Sequence, residues 1–209
     1  MHTNIRPEII SHLKKDKIIS ILVENCPINV EKLPFKVFDD LIRSIISQQL
    51  STAAAATIHN RFVSSFHGGK TIADQIQERD IENLRQYGLS YQKAGYIKNV
   101  VRHFTDNNLF ETDWDLWSDE EIIAELTKIK GVGKWTVEMI LMFSLLREDV
   151  LPLDDLIIRN HMVSLYKVTS EKKQLIVDLN TIADQWKPYR TYACRYLWAA
   201  KDSKYSKKY

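Results

Sequence analysis

The stretch KIKGVGKWTVEM, Lys128 to Met139, decides the fold. Ahead of it Ile122, Ile123, Leu126 and Ile129 recur at helical spacing, and behind it Val137, Ile140, Leu141 and Leu145 do the same. Between the two runs stand Gly131 and Gly133, with Lys130 and Lys134 beside them. Glycine lets a chain turn tightly and lets another backbone come within contact distance. The amides after such a turn open the next helix, where unpaired N–H groups and the positive end of the dipole attract an anion. A nucleic-acid phosphate suits that place, and its contact would not depend on base sequence. An ordinary turn between two helices uses glycine in the same way, so on these residues alone both readings stand.

The rest of the chain carries the same helical period. Val37, Leu41, Ile42 and Ile45 form one apolar stripe, and Ala54, Ala55, Ile58, Phe62 and Val63 form the next. SQQLST lies between them, with Ser51 or Thr52 as the cap of the second helix, which His67-Gly68-Gly69 is expected to end. Gly88 and Ser90 mark a stop and a start before a helix over 91–104. Ser118 and Glu121 make a capping box for a helix running to Ile129, and Thr136 to Leu146 reads as a buried helix after the hairpin. Further helices are expected from Asp154 or Asp155, over 171–184 and over 189–200. The pattern predicts an all-α fold of about ten helices and no strand.

With 209 residues, 44% apolar and 27% charged, the chain suits one domain of two lobes sharing a core, residues 1–200, followed by a basic tail, 201–209. The formal net charge of +2 is uninformative, so a nucleic-acid reading rests on where the positive charge lies. Cys26 and Cys194 lack metal-site spacing and read as buried thiols. The first residues hold no signal-peptide core and no run reaches membrane-spanning length, which predicts a soluble intracellular protein with no membrane partner.

LTKIKGVGKWTVEMILM followed by LPLDD resembles the helix-hairpin-helix DNA glycosylase superfamily, and LIRSIISQQLSTAAAATIHNRF, GLSYQKAGYIKNVV and PYRTYACRYLWAA resemble its alkylpurine branch, the 3-methyladenine DNA glycosylase II type. The likeness runs in order from about Phe35 to Ala200 and is nearest to the compact all-helical members. It implies a monomeric base excision repair hydrolase with its lesion site in the cleft between two helical lobes. The implied partner is double-stranded DNA containing damaged bases or abasic sites, in a nucleus or a bacterial nucleoid. It implies no cofactor and no metal, a monovalent cation at the hairpin being the one ion considered.

The resemblance also implies residue roles. Lys130, Gly131, Gly133, Lys134 and Thr136 would grip DNA, and Gln48, Gln49, Leu50 and Ser51 would enter the minor groove, Gln49 as the wedge that fills the gap left by a flipped nucleotide. Some compact relatives carry a histidine at the place of Ser51, a departure that bears on which bases are excised. Trp135 stands where bifunctional members carry a Schiff-base lysine. Indole forms no imine, so water takes the sugar carbon and the strand is left uncut. Trp135, Trp198 and Met139 would line the base pocket, where an electron-poor alkylpurine stacks well on indole. Asp154 fits the Pro-x-Asp pattern of the catalytic aspartate, with Asp155 as cap or surface residue; the reverse assignment stays open. A related scaffold that binds abasic or damaged DNA with little or no catalysis would keep the same blocks.

Overall fold

A computed structural model describes residues 4–30 and 36–201. Among them stand twelve α-helices, two short 3-10 turns and no strand element. The helices are α1 (Pro7–Leu13), α2 (Lys17–Asn25), α3 (Val37–Ser47), α4 (Thr52–Val63), α5 (Ile72–Glu78), α6 (Ile81–Arg85), α7 (Tyr91–Asp106), α8 (Asp119–Leu126), α9 (Lys134–Phe143), α10 (Leu156–Tyr166), α11 (Lys172–Asp184) and α12 (Arg190–Ala200). The expected tail lies outside the described residues from 202 onward.

Local signals account for most starts. Ser51 caps α4, Ser90 caps α7, and Ser118 with Glu121 forms both halves of a capping box on α8. Ends depart further from expectation. The fourth helix stops at Val63 with Ser64 as its C-cap, ahead of Gly68, whose φ of +93° serves the link to α5 instead. The eighth stops at Leu126, and α9 starts at Lys134 and stops at Phe143, so the hairpin is longer than the apolar spacing suggests.

The chain forms two compact units, Met1–Leu33 with Leu141–Tyr209, and Pro34–Ile140. In the second, α7 is the central support, packed by α3, α5 and α6, while α4 packs on α3. Phe38, Phe104 and Phe110 meet edge-on or tilted at 5.0–5.5 Å between centroids, closing one end of this core.

In the first unit α12 lies against α2 and α10, with seven of its eleven residues wholly or nearly buried from Thr191 to Leu197. Asp16 anchors the unit. It is 6% exposed and accepts from the amides of Ile18 and Ile19, from the Tyr166 hydroxyl at 2.6 Å and from Trp186 Nε1 at 2.9 Å. Burial, then the Asp16 carboxylate, pushes the Tyr166 phenol well above its usual range. Both thiols are buried and neither is in a disulfide. Asp16→Ala strands two buried donors and uncaps α2. We expect it to lower the unfolding free energy by about 3 kcal/mol in urea titration, with little change in the denaturant slope.

Candidate nucleic-acid interface and active site

The hairpin is built by backbone turns that the sequence allows only with glycine. Ile129 N–H reaches Leu126 O and Val132 N–H reaches Ile129 O, closing the end of α8. Gly131 then takes φ +106°, in the left-handed region. A Cβ there would stand 2.2 Å from Cγ of Tyr96 on α7, so the group that comes close to this glycine is an aromatic ring and not another backbone. Gly133 differs. Its carbonyl accepts from Val137 N–H, making it the cap of α9, and a Cβ on it meets nothing within 4 Å. Gly131 serves the fold, and Gly133 leaves an open approach to the first amides of α9.

Charge at the hairpin is weaker than the lysine count suggests. Lys134 turns back along α9 to the buried Glu138 at 3.2 Å, and Lys128 pairs with Glu125. Lys130 is exposed, while its carbonyl accepts from Asn99 Nδ2 at 3.1 Å. Thr136 corrects the sequence reading: at 3% exposure its side chain faces the interior, not a ligand. Trp135 is 39% exposed on the first turn of α9, with the half-buried Met139 one turn on.

The loop between α3 and α4 joins this hairpin within one unit. Gln48 Nε2 donates to Gly131 O at 3.3 Å, so that side chain ties the loop to the turn. Gln49 is exposed with φ +58°, a conformation that residues other than glycine rarely hold, and Leu50 is 40% exposed. The Ser51 hydroxyl accepts from Ala54 N–H as the cap of α4. Sequence reasoning missed the supports beneath: Lys93, Tyr96 and Asn99, three residues apart on α7, inside a block already singled out for its likeness.

The first unit holds the carboxylates. Pro152 O accepts from Asp155 N–H, and this turn sets Asp155, not Asp154, at the start of α10. Asp155 is 5% exposed, and its Oδ1 accepts from Ile157 N–H at 2.9 Å, Ile158 N–H at 3.0 Å and Trp198 Nε1 at 2.9 Å. Asp154 is exposed. Trp198 stacks on Phe143, 5.3 Å between centroids and 16° between planes, and the Arg195 guanidinium lies 4.4 Å from the Phe143 centroid. Arg195 also donates to Met142 O, and burial lowers it from its ordinary pKa. The sequence reading named neither Phe143 nor Arg195. Arg190 forks onto Asp149 while Thr191 holds Arg147 O and Val150 N–H, so α12 fixes the segment that leads into Pro152. The Tyr192 hydroxyl donates to Glu148 Oε1 at 2.9 Å, a further tie between α12 and this segment.

Residues 42–184 match the family model of the HhH-GPD superfamily base excision DNA repair protein. DNA-3-methyladenine glycosylase 1 of Schizosaccharomyces pombe is 39% identical over 164 residues, 77% of this chain and 71% of that one. Among solved structures, the 3-methyladenine DNA glycosylase of the same yeast in complex with abasic DNA has a TM-score of 0.78 at 35% identity, covering 94% of this chain and 98% of that one. A DNA-3-methyladenine glycosidase from Bacillus halodurans has a TM-score of 0.79 at 33% identity, covering 98% and 93%.

The two glycines should respond differently to an added side chain. Gly131→Ala drives Cβ into the Tyr96 ring at a positive φ, and we expect a loss of about 3 kcal/mol or more in thermal or urea unfolding. Gly133→Ser adds a favoured cap in open space and should leave the unfolding midpoint within a few degrees of wild type.

Proposed function

The chain belongs to the HhH-GPD superfamily of base excision DNA repair proteins, and from that premise we propose a monofunctional DNA glycosylase that hydrolyses the N-glycosidic bond of alkylated purines of the 3-methyladenine type. The observation that carries the chemistry is the Asp155 carboxylate, buried at a helix start and oriented by two amides and one indole. The catalytic role expected for Asp154 passes to its neighbour on that ground.

A positively charged alkylpurine already has a weakened bond to its sugar. As the C–N bond breaks, its electron pair returns to the base and cancels that charge, leaving the sugar cationic. A fixed carboxylate stabilises the cation without reorganising at the moment of reaction. Water then adds its oxygen to the sugar carbon and gives up a proton, with Asp155 as the acceptor. The products are a neutral base and an abasic site with the strand intact. Trp135 supplies a π face for the extruded base and no amine for an imine. The amides after Gly133 take phosphate, with Lys130 adding charge, and Gln49 with Leu50 enters the stack. Trp198, held by Phe143 and Asp155, acts on the site through the carboxylate. Such an enzyme works wherever the cell keeps its DNA, nucleus or nucleoid. We expect release without an added metal, because the substrate brings its own positive charge.

Asp155→Asn keeps an acceptor for the same three donors and removes the charge. We expect it to retain abasic-duplex binding and to slow release of 3-methyladenine from methylated duplex about a thousandfold, while Asp154→Asn stays close to wild type. The reverse order would return the role to Asp154. Wild type that binds abasic duplex tightly yet releases no more base than buffer would replace the enzyme with a damage-binding protein. Gly133→Asp retains a good helix cap but sets a negative charge where phosphate approaches. It should weaken binding to all duplexes alike by about tenfold, and unchanged affinity would remove the hairpin from the interface.

A further inference from the structure

We propose that Lys93 is a positioning residue for the intercalating loop, acting through the carbonyls of Ile46 and Gln48 rather than through DNA. The inference rests on the DNA-binding role proposed for that loop. The Lys93 ammonium donates to Ile46 O at 2.8 Å and to Gln48 O at 2.7 Å, closing the last carbonyls of α3 from a neighbouring helix. Burial lowers its pKa from the ordinary lysine value, in keeping with a group withdrawn from water.

The next residue is Gln49, at φ +58°. A left-handed glutamine persists only where its surroundings over-determine it, and on the Gln48 side Lys93 holds the peptide oxygen in place. The loop is held a second time, by Gln48 Nε2 on Gly131 O. The hairpin is held to the same helix by the Tyr96 ring under Gly131 and by Asn99 on Lys130 O. Lys93, Tyr96 and Asn99 thus form one stripe along α7 that carries both loops. The spacing between the amides that take phosphate and the side chains that enter the stack is therefore set before DNA binds, and the ordering of Gln49 is complete in the free protein.

A lysine used in this way has a signature that a phosphate contact lacks. A phosphate contact weakens every duplex when lost and lowers the salt dependence of binding by about one counterion. A support for the wedge matters only where a base has left the stack. The test compares wild type, Lys93→Met, Gln49→Ala and the double variant in the full chain, on an intact duplex and on one with a tetrahydrofuran abasic analogue, across a range of salt. We expect Lys93→Met to lose about tenfold on the abasic duplex, to stay within about twofold on the intact duplex and to keep the salt slope. The double variant should bind abasic duplex no more weakly than Gln49→Ala alone, because both changes remove one function. If Lys93→Met does not fold, Lys93→Gln, one atom shorter and uncharged, is read by the same ratio. Equal loss on both duplexes with a shallower salt slope, full additivity with Gln49→Ala, or no loss would overturn the positioning role. A wild type with no preference for the abasic duplex would overturn the intercalating reading itself, whatever Lys93 does.

Discussion

The ring of Tyr96 occupies the space that a side chain at position 131 would need. That one contact sets the hairpin. With glycine at φ +106°, the turn settles onto α7 over an aromatic face. With any other residue the Cβ and the ring compete, and turn and helix must separate. Everything proposed for DNA binding depends on this seat, because Asn99 and Gln48 reach the hairpin carbonyls only while the turn lies against α7. An isolated turn between two helices has many conformations. A turn pressed on a ring and bonded on both sides has one.

That arrangement explains how a chain with a net charge of only +2 can suit a polyanion. Two of the hairpin's lysines answer to glutamates, Lys128 to Glu125 and Lys134 to Glu138. In the proposed interface the grip is thereby shifted from side-chain charge, which salt screens and entropy loosens, to backbone N–H groups fixed by the fold. Amides placed in this way recognise phosphate geometry and carry no base information. A repair protein that must inspect any sequence is served by such neutrality, and discrimination is left to the proposed wedge and the chemistry.

How much of this was legible follows from the range over which each signal acts. Ser51, Ser90 and Ser118 announced their helices because a cap is settled by residues within one turn. Glycine misled at position 68, since it marks a left-handed residue and not necessarily the end of a helix, which here comes at Val63. Tyr96 beside Gly131 and Lys93 beside Gln48 are contacts between segments tens of residues apart, and no local pattern encodes them. The motif predicts a ligand contact at Thr136, yet α9 turns that position inward.

The aspartates show the same limit most sharply. Asp154 and Asp155 have the same side chain, the same neighbours and nearly the same distance from Pro152. What separates them is one backbone bond, Asp155 N–H to Pro152 O, which turns the second carboxylate in and leaves the first in water. Donors then found at Asp155 Oδ1 include two amides and an indole. Arg195 stacks on Phe143 and bonds Met142 O, holding the ring against which Trp198 lies. For a reaction whose transition state is a cationic sugar, an oriented carboxylate is the requirement, and the stack of Arg195, Phe143 and Trp198 helps to orient it through the Trp198 indole.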